Sequence, residues 1–112
     1  PGNKGMTPQG VADNMNPANH FLLASIYKET GIHDDAVSSL RKAIYLNSDF
    51  IMAYYTLGIL LLGRNNRKDA EKNLNTALSL LKKYSSEQFV PESEGIPAGR
   101  LTEIIESVKT RL

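Results

Sequence analysis

The chain has 112 residues, the size of one domain and too short to house most complete enzymes. Thirteen basic and twelve acidic side chains leave a net charge of +1, far from the cationic excess that phosphate-backbone binding requires, so nucleic acid is not an expected partner. With 41% hydrophobic and 22% charged residues the composition is ordinary globular usage, which argues against wholesale disorder. The absence of cysteine excludes disulfides, thiolate metal sites and a cysteine nucleophile, and fits a reducing, cytoplasmic setting.

Residues 1–16 lack both the apolar stretch and the basic flank of a signal peptide and read as a flexible leader. A first helix is expected over 17–30, with Pro17 suited to its opening turn and Leu23, Ile26 and Tyr27 on one packing face. A second, over 34–47, opens on Asp34 and Asp35, which favour the positive end of a helix dipole, and carries the stripe Leu40, Ala43, Ile44 and Leu46. A third, over 51–64, falls in the uncharged run Phe50 to Gly63, whose 14 residues are too few to span a bilayer; no membrane contact is expected. A fourth, over 67–83, has Asp69 near its start. After a loop over 85–97, Leu101, Ile104, Ile105, Val108 and Leu112 recur at helical spacing, so a fifth helix is expected over 98–112.

An offset of 34 residues brings the first two helices into register with the next two. Leu23 then pairs with Leu57, Ala24 with Gly58, Ala36 with Ala70, Leu40 with Leu74 and Ala43 with Ala77. His20 falls opposite Tyr54, and Gly31 opposite Asn65. Glycine and asparagine are the residues that most easily take the left-handed conformation closing a helix, so each unit reads as a helical hairpin broken at the same place. The small residues allow the two backbones of a hairpin to approach closely.

This pattern resembles the tetratricopeptide repeat (TPR). The resemblance is carried by His20, Leu23, Ala24, Tyr27, Ala36, Leu40 and Ala43, then by Tyr54, Leu57, Gly58, Leu61, Ala70, Leu74 and Ala77. It departs from the family at His20, where a large apolar or aromatic residue is usual, and at Ser48, where proline is. It implies an all-α fold: two TPR helix-turn-helix hairpins, 17–50 and 51–84, and a C-terminal capping helix in an α-α superhelix. The tail from Pro91 to Leu101, leading into Glu103, Ile104 and Ile105, also resembles the end of TPR regions appended to CheR-type chemotaxis methyltransferases. Those enzymes transfer a methyl group from S-adenosylmethionine to receptor glutamates, which implies a non-catalytic accessory region in chemotaxis-like signalling. A TPR adaptor of an unrelated complex and a structural self-association module are the alternatives.

Catalysis is not expected. Gly2, Gly5 and Gly10 follow no strand, so no cofactor site is expected. His20 and His33 lack a third ligand at metal spacing; His20 reads as a packed helix residue and His33 as an exposed one. No serine, histidine and acid set is recognisable.

Binding is the remaining class. The TPR register implies that Ala18, Phe21, Leu22, Ser25 and Lys28 of the first helix, and Met52, Tyr55, Thr56, Ile59 and Leu62 of the third, line a protein-binding groove. Lys28 is its one cation, which disfavours the acidic chain ends gripped by some TPR proteins and favours an apolar helix or extended segment. The same side chains would also suit a core covered by the leader or by helix 98–112. Arg100 and the acidic turn Glu92, Ser93 and Glu94 read as solvated surface.

Overall fold

The structure, a computed structural model, describes residues 15–112. The leader expected over 1–16 lies outside the described residues except for Met15 and Asn16. The helices are α1 (Pro17–Glu29), α2 (His33–Leu46), α3 (Ile51–Gly63), α4 (Arg67–Leu81) and α5 (Ala98–Lys109). Their ends fall within three residues of the periodicity-based expectation. No helix among the described residues is long and apolar enough to cross a membrane.

Local chemistry explains the helix ends. Asn16 caps α1, its Oδ1 accepting from the Ala18 amide at 2.9 Å, with Pro17 in the first turn. Asn66 caps α4: its Oδ1 accepts from the Asp69 amide at 3.4 Å while its Nδ2 donates to Asp69 Oδ2 at 3.2 Å. Gly31 and Asn65 are both left-handed, at φ 79° and 62°. Around them the closing hydrogen bonds are the same pair moved by 34 residues. Ile32 N–H donates to Tyr27 O at 2.8 Å and Asn66 N–H to Leu61 O at 2.9 Å; Gly31 N–H donates to Lys28 O and Asn65 N–H to Leu62 O. The sequence repeat is thus a repeat of backbone geometry.

The chain divides into two compact units, one ending at Ser48 and the other running from Asp49 to Leu112. In the first, α1 and α2 form a hairpin with Leu23, Ala24, Ala36, Leu40 and Ala43 buried. Ile26, expected on the packing face beside Leu23, is instead 47% exposed. The buried stripe of α1 runs through His20, Leu23 and Ala24, and Ile26 follows Leu22 by one turn on another face.

In the second unit α3 and α4 form the equivalent hairpin, and α5 packs on α4. α3 is apolar all round, the pattern of an enclosed helix, and seven of its residues are buried. A Cβ on Gly58 would meet the Leu74 side chain, so the missing methyl sets how closely α3 and α4 approach. Leu101 and Ile105 of α5 are fully buried, and Ile104 and Val108 are half-buried.

The segment before α5 is folded, not merely solvated. Phe89 and Pro97 form an antiparallel bridge, with Val90 N–H donating to Ile96 O at 2.9 Å. Within the turn Ser93 Oγ accepts from Ile96 N–H at 2.9 Å. Ser93, expected on the surface with its acidic neighbours, is 7% exposed, whereas Glu92 and Glu94 are exposed. The hydroxyl satisfies the backbone on the inside of the turn, which leaves the two glutamates outside, both with left-handed backbone. Loop carbonyls then serve the start of α5: Ala98 N–H donates to Gln88 O at 2.7 Å and Gly99 N–H to Ser86 O at 2.9 Å. A Cβ on Gly99 would lie 2.9 Å from Ser86 Cβ, so this approach requires glycine.

Candidate protein-binding surfaces

On α1, of the residues read as groove-lining, Ala18, Phe21 and Ser25 are half-buried, while Leu22 and Lys28 are exposed. Ser25 turns its hydroxyl back to donate to Phe21 O at 3.1 Å. Leu22 is 55% exposed, and Ile26, one turn on, is open too, so α1 presents an apolar pair to solvent. On α3, Met52 is buried, and Tyr55, Thr56, Ile59 and Leu62 are half-buried. Burial and then the Asp49 carboxylate raise the phenol of nearby Tyr54 above its ordinary value of 10.0.

Ile59 and Leu62 belong to a defined groove of the second unit, with a volume of about 600 Å³. Asn65, Arg67, Val108, Arg111 and Leu112 complete its lining. One wall comes from the end of α3 and the start of α4, and the other from the end of α5. Tyr55 and Thr56, earlier on α3, are not part of that lining. Sequence reasoning missed Arg67 and Arg111 because it sought ligand contacts only on the first helix of each hairpin. Arg111 follows the end of α5, where the chain closes in a turn with the Arg111 N–H donating to Val108 O at 3.1 Å, and it lines the groove.

Two further concavities lie in the second unit. The solvent face of α4 between Lys68 and Ser79 has a shallow depression, and a cleft between α4 and α5 is edged by Lys82, Glu106 and Lys109. Arg100 pairs with Glu103 at 3.6 Å on the exposed side of α5. Among the described residues no three His, Asp or Glu side chains come together as a metal ion would require. His20 is buried in α1 and His33 is exposed at the start of α2.

A family model described as tetratricopeptide repeat matches residues 17–50. The fold is an all-α tetratricopeptide-repeat fold. Among solved structures, the crystal structure of MamA superposes with a TM-score of 0.61 at 20% identity, over 93% of this chain and 67% of that one. At that identity the likeness concerns fold alone. No curated protein sequence matches the chain.

Proposed function

We propose that this chain is a non-catalytic protein-docking module in which the first helix of each hairpin offers contacts, Phe21, Leu22, Ser25 and Lys28 on α1 and Tyr55, Thr56, Ile59 and Leu62 on α3; Met52, read with them from the register, is buried and is left out of the set. TPR domains generally bind proteins or peptides. The observation that carries the reading is the apolar character of these helices beyond what packing consumes: Leu22 and Ile26 are open, and Ile59 and Leu62 floor a groove. An apolar helix or extended segment suits such side chains.

The test is a double substitution of Tyr55 and Ile59 by serine, followed by thermal melting and by comparison of the proteins retained by parent and variant. A docking role predicts lost retention with a stability loss below about 2 kcal/mol, since both side chains are only half-buried. A purely internal role for the two side chains predicts destabilisation by about 2–5 kcal/mol, and that result removes the reading.

Within this reading, the tail from Pro91 to Leu101 favours an accessory role beside a CheR-type methyltransferase in the cytoplasm. Support comes from the tail residues themselves, and the comparisons add nothing toward a methyltransferase. Translating the gene upstream of this segment tests it: a strand-turn-helix cofactor motif supports the accessory role, and a different upstream domain favours an adaptor. Light scattering on the purified chain distinguishes a self-association module, which would not remain monomeric.

A further inference from the structure

From the groove at the shared end of α3 and α5 we infer a ligand chemistry: it takes an acidic peptide segment in which a large apolar side chain is flanked by carboxylates. This inference rests on the docking-module reading and deepens it. The floor is apolar, from Ile59, Leu62 and Val108, and the volume of about 600 Å³ lies in the range of sites that enclose a small ligand or a few side chains.

The rim gives the specificity. Arg67 and Arg111 stand on different elements, both exposed, and neither guanidinium makes an ion pair or hydrogen bond among the described residues. Asn65, in the same lining and with left-handed backbone, has a side-chain amide without a partner among the described residues as well. No acidic side chain lines the groove. Guanidinium groups recognise carboxylates through paired, charge-assisted hydrogen bonds. Two cations on separate walls call for two anionic groups with the apolar group between them. The whole-chain charge of +1 conceals this local imbalance, and a search confined to the first helices finds only Lys28.

Fluorescence anisotropy on the full chain tests the inference with three labelled, end-blocked probes. These are the peptide Gly-Asp-Asp-Leu-Leu-Asp-Asp-Gly, its counterpart with every Asp replaced by Asn, and a single-stranded oligothymidine. We expect saturable binding of the acidic peptide, at least about tenfold tighter than the amide peptide and weakened by salt. Arg67→Glu and Arg111→Glu should each weaken it by about tenfold or more at unchanged melting temperature. Equal binding of acidic and amide peptides, or indifference to both charge reversals, overturns the carboxylate assignment while leaving the docking reading in place. Failure of both peptides, together with unchanged protein retention in the Tyr55 and Ile59 variant, overturns both. Tighter binding of the oligothymidine than of the acidic peptide overturns the inference in favour of phosphate recognition.

Discussion

A Cβ added to Gly58 would stand 2.7 Å from Cγ and Cδ2 of Leu74 and 3.3 Å from the Ala70 carbonyl oxygen. Leu74 is fully buried. Gly58→Ala therefore opposes two effects: a gain of about 1 kcal/mol in helix propensity and an overpacking cost of about 1–3 kcal/mol. Packing should win, and Gly58→Leu should cost more. Gly63, on the same helix, meets nothing within 4 Å, so Gly63→Ala should stabilise by up to about 1 kcal/mol. Urea midpoints of the three variants test the pair; a stabilising Gly58→Ala would contradict the α3–α4 approach described here.

The left-handed closures of α1 and α3 make a second contrast. Gly31→Ala and Asn65→Ala should each destabilise by about 1–2 kcal/mol, because an alanine Cβ is strained at φ 79° and 62°. Asn65→Gly should be neutral or better, since glycine takes this conformation without penalty. Chemical denaturation gives the ordering directly, and equal stability of Asn65→Ala and Asn65→Gly would contradict it.

Leu101 and Ile105 are both 0% exposed, so each truncation to alanine should cost about 2–5 kcal/mol. Ile104, half-buried beside them, should cost clearly less. Removing residues 98–112 should leave a chain that unfolds or aggregates. Circular dichroism melts and size-exclusion profiles read both effects, and a cooperative, monomeric truncation would make α5 an appendage.

Tyr54 predicts an alkaline effect with a definite sign. Its native phenol holds its proton above the ordinary value of 10.0, through burial and then Asp49. The neutral form is common to both states below that value. Above it the unfolded chain ionises first, so stability falls as pH rises past 10 and through the native value. Tyr54→Phe should remove that part of the decline. Denaturation midpoints from about pH 9 to 11 test it, and parallel curves for parent and variant would contradict it.

Helices, hairpins and helix closures were legible in the sequence because each rests on a local rule. The 34-residue offset placed the matching break inside each hairpin, and Gly31 and Asn65 announced their backbone by residue type. Ile26 was misread because α1 is apolar on several faces, and periodicity alone does not say which face a neighbour covers. The turn around Ser93 was not legible either. Glutamate has no preference for the left-handed region, so nothing in Glu92 or Glu94 signals it. Of the groove lining, Ile59 and Leu62 follow from the repeat register, whereas Arg67 and Arg111 come from other elements that no register of the first helices points to.

The borrowed hydrogen bonds at the start of α5 have a consequence for local opening. The amides of Ala98 and Gly99 are held by Gln88 and Ser86, outside the helix they begin. Neither can exchange with solvent by fraying of α5 alone; the loop must detach first. Under native-state hydrogen exchange these two amides should therefore carry the opening energy of the loop and share it with Val90, making the segment from Ser86 to Gly99 a single cooperative unit.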